Sequence, residues 1–208
     1  MPVNLFKQAK SVWKHEKADH VYVRAPLSKR DLTSLHKHNE QQVLTLHRIH
    51  SDSFELIADW ADLRSLILYG CKIVDWSPLA RCKRLEHLFI NTVRARAPDL
   101  SVLSQLRQLR DLSIGYVRHL TTLPDMSRCT RLRRLSIFNC KRLEDLSPIL
   151  KITNLESFHI VVTPQQPTDL EAIMAMPKMK YMTGSFANRK KNELFRELLG
   201  KYGLVYGD

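Results

Sequence analysis

A hydrophobic pattern that returns every 22 to 24 residues governs what this chain can fold into. The segments LRSLILYGC from Leu63, LEHLFINTV from Leu85, LRDLSIGYV from Leu109, LRRLSIFNC from Leu132 and LESFHIVVT from Leu155 place apolar residues at the first, fourth and sixth positions. Met179 opens a further copy, and QQVLTLHRI from Gln41 lies one step before Leu63. A lone strand would alternate with period two and a helix with period 3.6, so neither explains the spacing. A short strand offering two inward leucines cannot bury them by itself, whereas stacked copies bury them against one another. The repeat therefore predicts a parallel sheet built from one strand per unit, with the chain returning along the other side.

A second signature fixes the return path. Asp75-Trp76-Ser77, Asp99-Leu100-Ser101, Asp125-Met126-Ser127 and Asp145-Leu146-Ser147 place Asp-apolar-Ser between successive strands. Ser77-Pro78 and Ser147-Pro148 are expected to open short helices or 3-10 turns, the serine capping and the proline sitting where a missing N–H is no loss. In KIVDWSPLARCKRLEHLFI and RLEDLSPILKITNLESFHI the pattern resembles the leucine-rich repeat, in the short-period form of bacterial internalins and related cytoplasmic regulators of phosphatases. The resemblance covers about residues 41 to 186. It implies an α/β leucine-rich-repeat solenoid of about seven or eight units, with a concave parallel sheet and short convex helices or 3-10 turns. Two features depart from the family. Ile49, Cys71, Val93, Val117, Cys140 and Thr163 stand where an asparagine usually follows the strand, and no secretion signal or wall anchor is evident. The invasin role of internalins is not expected here.

Val21 and Val23 fall one step of 23 residues before Leu44 and Leu46, which makes residues 1–40 a degenerate first unit preceded by a cap containing Phe6 and Trp13. Residues 41–186 carry the repeats. The stretch NRKKNELFRELLGKYGLVYGD, within residues 187–208, is expected to form a capping helix that buries Leu194, Phe195, Leu198 and Leu199 and ends at Gly200. With no linker in the series, the expectation is one domain over residues 1–208. No run reaches the eighteen apolar residues of a membrane span, and MPVNLFKQAKSVWKHEK lacks the apolar stretch of a secretory signal. Cys71, Cys82, Cys129 and Cys140 form no C-x-x-C pair and fall at inward positions, so they read as small core residues of a reducing compartment. A cytoplasmic location follows.

Side chains between the inward leucines face the concave side. From N to C that face is expected to carry Thr45, His47 and Arg48, then Ser65, Ile67, Tyr69 and Gly70, then His87, Phe89, Asn91 and Thr92. Asp111, Ser113 and Tyr116 continue it, followed by Arg134, Ser136, Phe138 and Asn139, by Ser157, His159, Val161 and Val162, and by Tyr181, Thr183 and Phe186. Ile67, Tyr69, Phe89, Tyr116, Phe138 and Val161 are expected to be exposed and to form one apolar patch, a composition suited to a protein partner. The partner-binding candidates are His47, Ile67, Tyr69, His87, Phe89, Asn91, Asp111, Tyr116, Arg134, Phe138 and His159.

The formal net charge is +12. Directly after the strands, His50, Lys72, Arg94, Arg118 and Lys141 form a basic column, and Lys83, Arg84, Arg107 and Arg131 a weaker row before them. Lys72, Arg94, Arg118 and Lys141 would steer a partner with an acidic surface. His87, Asp111 and nearby Ser113 or Ser136 invite comparison with a catalytic triad, but no nucleophile elbow or oxyanion hole accompanies them. His36 with His38, and His47 with His50, lack a full metal ligand set. The expected function is noncatalytic protein binding without a cofactor or metal, in an inhibitor or toxin-neutralising immunity protein. Nucleic acid bound along the basic rim is the alternative.

Overall fold

The computed structural model describes residues 12–14, 20–24, 35, 37, 39–91 and 99–207. Its strands are β1 (Val12–Lys14), β2 (His20–Arg24), β3 (Val43–His47), β4 (His50–Ser53), β5 (Ser65–Tyr69), β6 (Lys72–Asp75) and β7 (His87–Asn91). They continue with β8 (Asp111–Gly115), β9 (Arg134–Phe138), β10 (Ser157–Val161), β11 (Tyr181–Ser185) and β12 (Val205–Tyr206). One sheet has ten strands in the order β1-β2-β3-β5-β7-β8-β9-β10-β11-β12, and β4 pairs with β6 in a second, two-stranded sheet. From β2 to β12 every pairing in the large sheet is parallel, while β1 joins β2 antiparallel. The degenerate unit at Val21 and Val23 therefore supplies a full strand.

The register aligns equivalent residues without slippage. Val21, Leu44, Leu66, Leu88, Leu112, Leu135, Phe158 and Met182 form one inward row, and Val23, Leu46, Leu68, Ile90, Ile114, Ile137 and Ile160 a second. Each of these side chains is at most 2% exposed. A third row, Leu63, Leu85, Leu109, Leu132, Leu155 and Met179, packs beneath the turns. All belong to one continuous apolar core, and each fully buried leucine stabilises the stack by about 1.5–3 kcal/mol through removal of apolar surface from water.

Four of the positions that usually hold asparagine are core positions here and carry apolar residues or cysteine. Ile49, Cys71, Val117 and Cys140 are buried, whereas Thr163 is half-buried, and Val93 lies outside the described residues. The Cys71 thiol lies 3.3 Å from the Leu46 carbonyl, which partly replaces the hydrogen bonds an asparagine would make. Burial pushes the Cys71, Cys82 and Cys129 thiols up to about 11 and raises Cys140 as well, so all four stay protonated and unreactive.

On the return side, 3-10 helices span Phe54–Ile57, Ser77–Arg81, Ser101–Gln105, Ser147–Lys151 and Pro167–Leu170. The expected cap is corrected in one respect: the aspartate of each Asp-apolar-Ser motif caps the turn, and the serine does not. Asp75, Asp99, Asp125 and Asp145 each accept the backbone N–H of the serine two residues on, at 2.9 Å. Three bonds separate an aspartate carboxylate oxygen from its own Cα, which lets it reach that N–H before the helix begins.

Hydrogen bonds from the serine favour the ionised carboxyl, chiefly its backbone N–H at Asp75, Asp99 and Asp125 and its hydroxyl at Asp145, and hold Asp75, Asp99 and Asp145 below the usual carboxylate value; Asp125, which also meets Lys151, lies at about 2. A depressed folded-state value gives stability that is complete above the unfolded value and is lost as pH falls through the folded one. The melting temperature is therefore expected to drop between about pH 4 and pH 2, and Asp→Asn at all four positions should flatten that drop. An acid limb of unchanged steepness in the quadruple variant, measured by thermal melts, would refute the capping account.

A left-handed residue closes most strands. Arg48, Gly70, Tyr116, Asn139 and Val162 have φ between 53° and 61°. The first four donate their N–H to the last carbonyl of the next strand, at 2.7, 2.9, 3.0 and 2.8 Å. That extra rung holds non-glycine residues such as Arg48, Tyr116 and Asn139 in a conformation that costs roughly 1–2 kcal/mol.

At the C-terminal end, α1 (Glu171–Met174) precedes β11, and α2 (Arg189–Lys201) packs on the last unit. Phe195, Leu198 and Leu199 are buried as expected, but Leu194 is 37% exposed, a correction. The 3.6-residue period turns Leu194 off the stripe that its three neighbours share. Gly200 lies inside α2 rather than after it, and the left-handed residue that ends the turn is Gly203, with φ +67°. The chain beyond it adds β12 to the sheet, a strand too short to announce itself by alternation. Gly184, where the second inward row ends, exists to admit a ring: a Cβ there would lie 2.8 Å from Phe195 Cζ.

Candidate functional site

The sheet register divides the concave face into three columns. Nearest the strand starts run Ser65, His87, Asp111, Arg134, Ser157 and Tyr181. Thr45, Ile67, Phe89, Ser113, Ser136, His159 and Thr183 form the middle column. The strand ends present His47, Tyr69, Asn91, Gly115, Phe138, Val161 and Ser185. Thr45 and Ser157, expected to face outward, are buried at 4% and 6% exposure, because larger neighbours on the adjoining strands overhang such short side chains.

The aromatic residues of this face form a chain of ring contacts. Tyr22 stacks with His47 at 6.2 Å between centroids, His47 meets Tyr69 at 6.4 Å, and Tyr69 meets Phe89 at 5.3 Å. Phe89 then meets Phe138 at 6.0 Å, and Tyr116 stands edge-on to Phe138 at 5.7 Å. Phe89 and Phe138 belong to strands that are not neighbours, since β8 lies between them. Gly115 makes this contact possible: a Cβ at that position would sit 2.0 Å from Phe138 Cε2. The ring lies flat over the bare glycine and reaches across β8. Tyr69 and Tyr116 are exposed at 40% and 45%. Ile67, Phe89, Phe138 and Val161 are half-buried, a correction to the expected full exposure that for the two phenylalanines follows from this ring-on-ring packing.

His47 sits between two tyrosines, and its Nδ1 has no hydrogen-bond partner among the described residues. Burial, with Arg24 and Arg48 nearby, lowers its pKa, so the ring is neutral near pH 7 and acts as a flat stacking surface.

Beside the rings lies a polar centre. Asp111 receives His87 Nδ1 on one side and Arg134 on the other, with Nε at 2.5 Å and Nη2 at 2.9 Å. His87, Phe89, Asp111, Ser113, Arg134 and Ser136 enclose a shallow depression of about 210 Å³. Arg134 holds the carboxylate that a triad would need for His87 alone, and neither Ser113 nor Ser136 is hydrogen-bonded to His87. The arrangement can recognise a polar group and is poorly placed to activate a nucleophile. Asn91 occupies the strand-end column next to Tyr69, and His159 lies between Ser136 and Thr183 in the middle one.

Ion pairs between repeats, which the periodicity did not reveal, take up much of the charge at the strand starts. Glu86 pairs with Arg64 at 2.5 Å and Arg110 at 3.2 Å, and Glu156 pairs with Arg133 at 3.4 Å and Lys180 at 2.9 Å. The signal was available in the column Arg64, Glu86, Arg110, Arg133, Glu156, Lys180, whose signs alternate within each group of three. At the opposite edge, His50 and Lys72 are register partners in the small sheet, and Lys72, Arg118 and Lys141 are all exposed. Arg94, with Thr92 and Arg96, lies outside the described residues, as do His36, His38 and Phe6. Among the described residues no cluster of three or more histidine, cysteine or acidic side chains could hold a metal ion, and no helix is long and apolar enough to cross a membrane.

No protein-family model matches the chain, and no curated protein matches it by sequence. Solved structures do match it. An internalin of Listeria monocytogenes aligns at 20% identity with a TM-score of 0.62, over 81% of this chain and 48% of its own. Human trophoblast glycoprotein, also named Wnt-activated inhibitory factor 1, aligns at 17% identity with a TM-score of 0.57, over 85% of this chain and 80% of its own. The chain thus spans about half the length of that internalin. Identities at this level establish shared architecture, and with the 23-residue register, the parallel sheet and the 3-10 return turns they show that this chain is a leucine-rich-repeat protein in its fold.

Proposed function

We propose that the chain is a noncatalytic, cytoplasmic module that seats a partner protein on the concave face of its sheet. The observation that carries this reading is the unbroken row of rings from Tyr22 through His47, Tyr69, Phe89 and Phe138 to Tyr116. Aromatic side chains presented by a rigid sheet contribute large contact area with little conformational entropy left to lose, which is the composition of interface hot spots. Asp111, flanked by His87 and Arg134, adds a polar anchor that orients what binds beside the rings. The four buried thiols suit a reducing compartment.

The finer role is that of an inhibitor or immunity protein, which occludes a toxin's surface and needs no chemistry of its own. The partner surface is acidic, because Lys72, Arg118 and Lys141 stand exposed without ion-pair partners among the described residues. Reversing these three to glutamate is expected to slow association several-fold at low salt and to flatten its salt dependence, with the melting temperature unchanged. Equal on-rates for the two proteins in surface plasmon resonance would assign these cations to solubility.

Affinity capture tests the reading directly. The wild-type chain as bait should retain a protein that the Phe89→Ala, Phe138→Ala double variant loses while melting normally. A partner captured equally by both would move the interface off the concave face. Salt-sensitive, micromolar retention of random nucleic acid in a filter assay, with no protein captured, would favour the nucleic-acid alternative.

A further inference from the structure

On the side of the turns, away from the ring row, a groove of about 540 Å³ is lined by Lys83, Ser104, Gln105, Arg107, Gln108 and Arg128. Ser104 and Arg128 also line the adjoining hollow, together with Ser101, Pro124, Asp125 and Ser127. Several other cations on this side are met by an acid from an adjacent stretch of the coil: Arg81 by Glu55 at 2.9 Å, Arg84 by Asp62, Lys151 by Asp125 at 2.9 Å and Lys201 by Glu171 at 2.7 Å.

Here the acids are missing from their columns. Three residues before each strand the column reads Asp62, Arg84, Gln108, Arg131, Asn154 and Lys178. Six residues before the strands, Asp59, Arg81, Gln105 and Arg128 follow one another. The unit that leads into β8 thus presents two amides at positions where the unit before β5 presents two aspartates. Lys83, Arg107 and Arg128 are left without an ion-pair partner among the described residues, and the amides of Gln105 and Gln108 are likewise unengaged. The segment 92–98, Thr-Val-Arg-Ala-Arg-Ala-Pro, contributes no carboxylate to the chain. Ser104 is occupied, its hydroxyl donating to the Ser101 carbonyl at 2.7 Å.

Two guanidinium groups, an ammonium and two amides lining one groove match an oxyanion with several charged oxygens, since guanidinium forks bind phosphate through paired hydrogen bonds. The size of the hollow is that of a small-molecule site. The unpaired Lys83, Arg107 and Arg128 gather on this one hollow, with Glu55, Asp62 and Asp125 in nearby turns, which suits a compact anion better than a long strand. Asp125 itself is already engaged by Lys151 and by the Ser127 N–H. We propose that this groove is a second binding site, independent of the concave face, for a small anion carrying two or more phosphate groups.

Calorimetry with tripolyphosphate at low ionic strength tests this, with a long single-stranded DNA as the competing class. The wild-type chain should bind tripolyphosphate at one site in the micromolar range. Arg107→Gln with Arg128→Gln should weaken that binding about tenfold or more, and Arg118→Gln with Lys141→Gln on the rim should leave it within about twofold. Gln108→Glu, which returns a carboxylate to its column, should weaken binding by a similar factor without lowering the melting temperature. The proposal is overturned by no saturable heat up to about 1 mM tripolyphosphate, by equal losses in the groove and rim variants, or by DNA that binds more tightly than tripolyphosphate and is indifferent to Arg107 and Arg128.

Discussion

Leu112→Ala is expected to destabilise the protein by about 2–5 kcal/mol, the cost of the lost transfer energy and of the cavity left between stacked strands. Leu112 is 1% exposed and lies in the inward row between Leu88 and Leu135, with strands on both sides that are themselves fixed by register. A terminal unit could relax into such a space, but a central one has repeats above and below it and relaxes little. At roughly 2–4 °C of melting temperature per kcal/mol for a chain of this size, the shift should be about 4–20 °C. Leu88→Ala and Leu135→Ala should behave alike, because the three residues hold one position in successive copies. Val21→Ala, in the outermost described parallel strand that bears this row, removes fewer carbon atoms and should cost less. A thermal melt of Leu112→Ala within a degree of the wild type would contradict the packing.

What the sequence discloses follows from which interactions leave a periodic trace. The inward rows do, because stacking demands the same residue class at the same step, and so the strand from Val21 to Val23 was legible without any leucine. The Asp-apolar-Ser motifs mark the turns without saying which side chain caps them; aspartate and serine both cap helices, and only the geometry shows that the aspartate reaches the N–H. Strand β12 and the exposed face of Leu194 left no trace, since a two-residue strand has no period and one leucine among four on a helix does not fix the stripe. The ring row was half legible. Its members could be named from their positions, but the contact between Phe89 and Phe138 depends on a residue that is absent, the side chain of Gly115. A glycine in a strand signals a close approach without saying from where. The groove around Arg107 was obscured for a similar reason: Gln105 and Gln108 look like ordinary surface residues until the register sets them in the columns of Asp59 and Asp62.

That bare glycine supplies the sharpest test of the concave face. Phe89→Ala and Phe138→Ala should each weaken binding of a partner by more than about tenfold, since large aromatics near the centre of an interface typically cost roughly 2 kcal/mol or more when truncated. Either change also removes a ring that its neighbours lean on, so part of the loss reflects disorder in the row. Gly115→Ala separates the two contributions, because it deletes no ring. A Cβ placed 2.0 Å from Phe138 Cε2 leaves that ring no room over β8. Phe138 must rotate away from Phe89, which breaks the row at its centre while Tyr69, Phe89 and Tyr116 keep their own strands. The backbone at Gly115 needs no left-handed conformation, for it is not among the glycines with positive φ, and alanine fits the strand otherwise. Gly115→Ala should therefore fold, melt within a few degrees of the wild type and bind nearly as poorly as Phe138→Ala. Adding Phe138→Ala to Gly115→Ala should then cost little more, since two changes acting on one contact are not additive. If Gly115→Ala binds as the wild type does while Phe138→Ala does not, the rings act singly and the continuous row has no role in recognition. If all three variants bind normally, the partner does not use the concave face.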